Sequence, residues 1–258
     1  MTGIPAGGPP RHPALLSAAG FIAFLALWEA TVRTGILPPA WVPAPSAVPL
    51  ALVRELRNGI WITAVGDSLS HYAIGVIIGS LLGIAVGTAV ALLPRFDAAQ
   101  AWVARLLRPI PPLAWIPFAL IWFGASETAA AFIIGIGVFW LNYFASQSAV
   151  RAVDPGLIEL AAAFGQGGFF RRLWKVVLPA ASPGIFSGVR SGLGQGWMAV
   201  VAAELFGIPG IGQRMTEAAG LLATDVLVLY MLTIALLYGL TDFLFQLVTD
   251  RALAWTFK

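Results

Sequence analysis

The segment "LIELAAAFGQGGFFRRLWKVVLPAASPGI", residues 157–185, interrupts a chain that is otherwise dominated by apolar residues. Its first half is rich in alanine and ends at Gly165, and its second half carries three cations, Arg171, Arg172 and Lys175, before a proline. A glycine after an apolar run and a proline after a basic run are typical signals for the end of a helix. We therefore expect two short helices here, joined by a glycine-rich connection.

The first predicted helix has a start signal and a stop signal. Asp154 can accept a hydrogen bond at the N-terminus of a helix that begins at Pro155, because proline is favoured at the first helical position. Gly165 can adopt the left-handed conformation that closes a helix. The small alanines, a single glutamate and this glycine turn predict a compact knob suited to a groove in a soluble partner.

The second predicted helix is amphipathic and basic. Its apolar face contains Phe169, Phe170, Leu173, Trp174 and Val177 at helical spacing, and the cations lie opposite. This pattern favours a helix that lies along a membrane surface. Pro179 and Pro183 are expected to end it. Seating among anionic lipid headgroups is the simpler interpretation of such a helix.

The composition of the whole chain identifies a membrane protein. Of its 258 residues, 59% are hydrophobic and only 10% are charged, whereas soluble domains carry about 25% charged residues. Apolar stretches long enough for spanning helices favour an all-α integral membrane bundle over a β-barrel. The chain has no cysteine and two histidines, which argues against metal clusters and cysteine nucleophiles, and we expect no metal site, no catalytic residue and no nucleic-acid partner.

Hydropathy predicts about six transmembrane helices, at residues 14–33, 71–93, 101–122, 128–149, 183–206 and 227–249. Arginines and lysines then cluster on one side, which the positive-inside rule assigns to the cytoplasm. Both termini should be cytoplasmic. Residues 1–13 are expected to be a flexible tail, residues 14–258 the transmembrane domain, and residues 150–182 a cytoplasmic loop.

Three features within the predicted spans carry further expectations. The loop after the first span should contain a short outer helix from about Ser46, a plausible cap, to Asn58. Glycines 75, 79, 83 and 87 share one face and predict close packing against another helix of this chain or of a second subunit. Prolines in "RPIPPLAWIPFALIWFG" imply that part of the third span lines a cavity.

Taken together, several motifs resemble the permease subunits of binding-protein-dependent ABC importers. Glu159, Ala161, Gly165, Leu178 and Pro179 resemble the EAA loop of that family. Leu160 replaces the usual second alanine, and the spacing between Gly165 and Leu178 is slightly longer than the common form. "RPIPPLAWIPFALIWFG", "LPAASPGIFSGVRSGLGQGWMAVVAAELFG" and "GIGQRM" are similar to the nitrate, sulfonate, taurine and bicarbonate branch.

The resemblance implies a type I importer fold in the bacterial-type inner membrane. It implies a second permease copy, two cytoplasmic ATPases that bind ATP and magnesium, and an extracytoplasmic solute-binding protein, while the permease itself holds no cofactor and catalyses no reaction. The residues that it assigns to ATPase coupling are Glu159, Ala161, Ala162, Gly165, Arg171, Arg172 and Pro179. Consistently, "GQGG" at 165–168 lacks the lysine of a phosphate-binding loop.

Candidates for the substrate pathway come from polar or aromatic residues within the spans, because charges are costly in a membrane and mark function. They are Trp115, Arg190, Ser191, Gln195, Trp197 and Glu204. Glu204 fits either a gate or simple solvation at the interface. Glu29 and Asp242 are expected to be structural hydrogen-bonding residues, with Gln246 on the same face as Asp242.

Two alternatives remain open at this point. A secondary transporter acting without an ATPase would show an inverted repeat of hydropathy, and none is evident. A neutral aromatic or pyrimidine-like solute would suit the tryptophans, whereas a small anion such as a sulfonate, taurine, nitrate or bicarbonate fits the family branch.

Overall fold

The computed structural model of the protein describes residues 13–38, 40–165 and 168–257. Within these residues all regular secondary structure is helical. In chain order the helices are α1 (Pro13–Arg33), α2 (Ala47–Arg57), α3 (Ile60–Leu92), α4 (Pro94–Leu107), α5 (Ile116–Phe123), α6 (Glu127–Arg151), α7 (Pro155–Ala163), α8 (Phe169–Arg172), α9 (Leu178–Glu204), α10 (Ile211–Gly220) and α11 (Thr224–Ala252). The predicted tail lies outside the described residues except for Pro13.

The chain forms two compact units. One contains the described residues up to Trp61 together with Glu217–Met231, and the other contains Ile62–Thr216 and Leu232–Lys258. In the first unit the predicted outer helix is present as α2. Ser46 precedes α2, but its side chain does not cap the helix; its hydroxyl donates to Glu29 instead, at 2.8 Å. Glu55 of α2 is buried and accepts a 2.7 Å hydrogen bond from Tyr230.

Four helices in the described chain are long and apolar enough to cross a membrane: α1 from Leu15, α3, α6 and α11. The two remaining predicted spans, the third and the fifth, differ from expectation. The third is wrong as a single helix, because α4 and the stretch Pro112–Phe123 meet at 91°. Prolines remove backbone donors and prevent a straight helix there. The fifth corresponds to α9, which has 27 residues but is less apolar than the other four.

The glycine face of α3 packs against α6, so the predicted neighbour is a helix of the same chain. A Cβ on Gly79 would lie 2.5 Å from the carbonyl oxygen of Gly135, and one on Gly83 would lie 2.6 Å from that of Phe139. The backbones therefore approach more closely than any larger residue would permit. Helix α3 also begins at Ile60, earlier than predicted, which places Ser68 and His71 inside the helix.

Candidate functional site

Helix α7 is closed at both ends by the residues that the sequence indicated. The Asp154 carboxylate accepts a 2.8 Å hydrogen bond from the Gly156 N–H, and Pro155 occupies the first helical position. At the other end, Gly165 has φ +76° and donates its N–H to the Ala162 carbonyl at 3.1 Å. The predicted helix and its left-handed glycine are confirmed.

The outward surface of α7 combines one carboxylate with exposed apolar side chains. Glu159, Ala162 and Gly165 are exposed, and Ala161 is half-buried. Leu160 and Phe164 are 55% and 76% exposed. Within the described residues Glu159 has no ion-pair partner. Since Ile158 alone of this helix packs against the small core around Val150 and Val177, α7 projects from the bundle.

The basic half of the segment is not a separate helix, which corrects the prediction that Pro179 and Pro183 end it. Helix α8 passes through a π turn, Leu173–Val177, directly into α9. The Leu178 N–H donates to the Leu173 carbonyl, a widened turn that accommodates a proline at the next position. Pro183 leaves the Pro179 carbonyl without its usual helical donor, and the Ser182 hydroxyl donates to that carbonyl at 2.8 Å.

Coupling residues predicted in this half lie at the surface. Arg171 and Pro179 are exposed, and Arg172 is half-buried. The connecting residues 166 and 167 lie outside the described residues. The predicted coupling residues therefore extend from α7, through α8, to the second residue of α9.

A cavity of about 260 Å³ lies beside the bend between α4 and α5, where prolines predicted one. Gln195 of α9, a predicted pathway residue, contributes to its wall, together with Pro111, Pro112 and Gly137. Trp140 and Phe144 of α6 supply aromatic surface. No aspartate or glutamate lines this cavity among the described residues. Its described polar side chains are therefore neutral or positively charged hydrogen-bond donors.

Arg108 is the residue of this cavity that sequence reasoning missed as a pathway candidate. In the sequence it is one of the arginines that indicate the orientation, and its position directly before the prolines of "RPIPP" is a signal that it lies at the bend. Its guanidinium lies 4.3 Å from the centre of the Phe144 ring, and it forms no ion pair with a described residue. The indole nitrogen of Trp140 is also buried without a partner among those residues.

The other aromatic and serine candidates lie away from this cavity. Trp197 is 2% exposed, stacks on Tyr72 with ring centres 4.4 Å apart, and donates to Thr241 at 3.1 Å. Trp115 packs edge-on against Phe132. Ser191 donates to the Ser187 carbonyl of its own helix. The two tryptophans therefore make packing contacts, whereas Ser191 is exposed.

Arg190 is held by a carboxylate rather than left as a free charge. Its Nε and a terminal nitrogen each lie 2.8 Å from an oxygen of Asp242, in a bidentate pair between α9 and α11. Asp242 therefore uses its carboxylate on Arg190 and not on Gln246. Glu29 has the structural role expected of it, because it accepts from Arg33 and Ser46.

Glu204 lies in a buried polar cluster, which contradicts the solvation alternative of the two that the sequence left open. The side chain is fully buried. Its carboxylate accepts from the Ser68 hydroxyl at 2.8 Å and from the Gly212 N–H at 2.8 Å, and it lies 3.0 Å from Nδ1 of His71. Sequence reasoning missed Ser68 and His71, because it began their helix at residue 71. The cluster connects α3 to the end of α9 and the start of α10.

Comparisons with known proteins agree with this architecture. The chain matches the family described as the binding-protein-dependent transport system inner membrane component over residues 75–253. It is 29% identical over 253 residues to the taurine transport system permease protein TauC of Escherichia coli, covering 96% of this chain and 92% of TauC. It is 34% identical over 219 residues to the bicarbonate transport system permease protein CmpB of Synechococcus elongatus, covering 79% and 77%.

Among solved structures, the MetNI methionine ABC transporter in an inward-facing conformation has a similar fold. The TM-score is 0.67 at 18% identity, covering 77% of this chain and 98% of the MetNI chain. The predicted type I importer permease fold is confirmed. The chain therefore belongs to the family of binding-protein-dependent transport system inner membrane components, and it is a multi-pass permease subunit of an ABC importer.

Proposed function

We propose that this permease conducts a small anion through the cavity beside the α4–α5 bend. The observation that carries the proposal is the lining of that cavity, which contains the Arg108 guanidinium and the Gln195 amide but no carboxylate among the described residues. The names of two relatives contain taurine and bicarbonate, which are small solutes with an anionic group. A guanidinium beside neutral donors attracts such a group.

The arrangement of Arg108 suits transient binding. Its guanidinium lies over the Phe144 ring, an arrangement that holds a cation in place without neutralising it. Its charge is therefore available to a passing anion. Gln195 offers a neutral amide on the facing helix, and such donors pass an anion along without trapping it.

We further propose that α7 couples this pathway to a cytoplasmic ATPase. The support is the projecting helix itself, which presents Glu159, Leu160 and Phe164 outward and is closed at both ends by local signals. Exposed apolar side chains around a carboxylate are suited to docking in a protein groove. Ala161, Ala162 and Gly165 keep the helix narrow enough to enter one.

The remaining partners follow from membership of the importer family. Two permease copies, two ATPases and an extracytoplasmic solute-binding protein would form the transporter, with ATP and magnesium held by the ATPases. Clustering of arginines and lysines in the loops before α1, around α4 and between α6 and α9 supports a cytoplasmic location for both termini.

The experiment compares Arg108→Gln with Arg105→Gln. Arg105 lies on α4 over Trp102 and does not line the cavity, which makes it a matched control. Nucleotide-dependent uptake is measured in proteoliposomes with the cognate ATPase and binding protein, for taurine, nitrate, bicarbonate and a neutral pyrimidine. Loss of a charge-assisted hydrogen bond should reduce anion uptake about 10- to 100-fold in Arg108→Gln and leave Arg105→Gln near wild type.

Two results would contradict the anion proposal. Uptake of the pyrimidine alone would assign the aromatic surface of Trp140 and Phe144 to a neutral solute. Equal anion uptake by both arginine variants would remove Arg108 from the pathway.

A further inference from the structure

A second cavity, separate from the proposed pathway, lies between the C-terminal half of α3 and the basic segment that follows α7. Its volume is about 470 Å³. We call it the α3–α8 groove. Its lining residues are Leu81, Ile84, Ala85, Thr88, Ala89, Leu92, Leu93, Phe169, Leu173, Trp174 and Leu178. Among the described lining residues, Thr88 and Trp174 are the two with polar side-chain atoms, so the groove is suited to a hydrocarbon chain.

The α3 wall of the groove is a straight strip along one helix face. Its residues from Leu81 to Leu92 recur at three- and four-residue intervals and extend over about 17 Å at 1.5 Å per residue. Leu81 is 64% exposed and Ala85 is also exposed, whereas Thr88 is buried. Because this helix is a membrane span, the 81–85 end of the strip faces lipid.

The segment that forms the other wall also carries three cations, Arg171, Arg172 and Lys175, none of which is a lining residue. They lie on the opposite face of this segment from its lining residues, within about one helical turn along the chain. Their long side chains can extend past the helix to the mouth of the groove while the charged ends stay in the headgroup region. None of the three cations forms an ion pair with another residue in the described part of the chain. An apolar slot and unneutralised positive charges therefore meet at the end of a membrane span.

We propose that the α3–α8 groove binds an anionic phospholipid. One acyl chain lies along the strip from Leu81 to Leu92, and the phosphate headgroup contacts Arg171, Arg172 and Lys175. The occupant is a membrane lipid and not a protein segment, because the groove opens on a lipid-facing helix and the cations are placed where headgroups begin. The proposal does not depend on the identity of the transported solute.

This site gives the two halves of the α6–α9 connection different tasks. Helix α7 presents a carboxylate and apolar side chains outward, whereas α8 and the π turn carry the cations next to the groove. Because α8 runs without interruption into α9, a lipid bound here steadies the base of the helix that carries Gln195. Arg171 and Arg172 then contribute to coupling by anchoring the segment.

The test measures lipid retention by the purified permease with native mass spectrometry. Phosphatidylglycerol and phosphatidylcholine with identical acyl chains are titrated separately. The headgroup variant is Arg171→Gln, Arg172→Gln and Lys175→Gln combined, and its control is Arg251→Gln, an exposed cation at the end of α11. The chain variant is Ala85→Phe, which fills the groove, and its control is Ile77→Phe, an exposed position of α3 outside the lining.

The wild type should retain phosphatidylglycerol in preference to phosphatidylcholine. Removing three charges should weaken phosphatidylglycerol binding by about two orders of magnitude, and Ala85→Phe should also abolish its retention, while both controls bind as the wild type does. Equal retention of the two lipids by the wild type would overturn the proposal. So would loss of phosphatidylglycerol in only one of the two variants, because headgroup and chain must act together.

Discussion

At the scale of single residues, Glu204 is a fully buried carboxylate in the described chain that needs hydrogen-bond partners. A carboxylate with no solvent exposure is tolerated only when hydrogen bonds replace the water that it loses. Ser68, His71 and the Gly212 N–H provide these contacts. Gly210, with φ +144°, leaves room for the carboxylate, because a Cβ there would collide with it. The loop after α9 is therefore built around this one side chain.

Replacing Glu204 by alanine should destabilise the protein. The substitution leaves the Ser68 hydroxyl and the Gly212 N–H buried without an acceptor, at about 1–3 kcal/mol for each group. The two groups together cost about 2–6 kcal/mol, so a decrease of about 4–24 °C in the midpoint of thermal unfolding is expected for the purified protein in detergent. Glu127→Ala is the control, because Glu127 is exposed at the start of α6. Similar midpoints for the two variants would show that the cluster contributes little stability.

At the scale of single elements, α7 shows how local chemistry defines a short helix. Asp154 satisfies an N-terminal donor, Pro155 supplies a preset φ, and Gly165 turns the chain in the left-handed region. None of these contacts depends on distant residues. The helix was accordingly predictable from twelve neighbouring positions, 154–165.

Gly165→Val should uncouple transport without removing the protein from the membrane. A β-branched residue at φ +76° incurs about 1–3 kcal/mol of backbone strain, which should displace α7 and reduce nucleotide-dependent uptake severalfold or more. Gly168→Val is the matched control, because Gly168 has φ −72° and open space around it. Expression and uptake are measured together. Full uptake by the Gly165 variant would mean that the turn does not serve coupling.

At the scale of the whole molecule, the permease is one part of a larger assembly. Co-expression with its ATPase and purification in mild detergent should yield two permeases with two ATPases, because α7 leaves Leu160 and Phe164 exposed in the isolated chain. Mass photometry or multi-angle light scattering gives the stoichiometry. A solitary permease that transports without nucleotide would contradict this prediction and support a secondary transporter.

The amino-acid sequence by itself determined the membrane class, most of the helices and the ends of α7. These properties depend on apolar run length, on residue type and on neighbours within one or two helical turns, all of which are readable along the chain. The match of several motifs to one importer family was readable in the same way. Gln195 was also identifiable as a residue that faces a cavity, because an amide in a glycine-rich span is unusual.

Only the tertiary structure decided which distant residues meet. Pairing of Arg190 with Asp242, and of Glu204 with Ser68 and His71, joins positions far apart in the chain. Arg108 lines a cavity with Trp140 and Phe144 of α6 beside the 91° bend between α4 and the stretch Pro112–Phe123. The sequence indicates that charges such as Arg190 and Glu204 are costly within a span. Their partners depend on which helices pack together. That packing depends on glycine faces and bends from the whole chain.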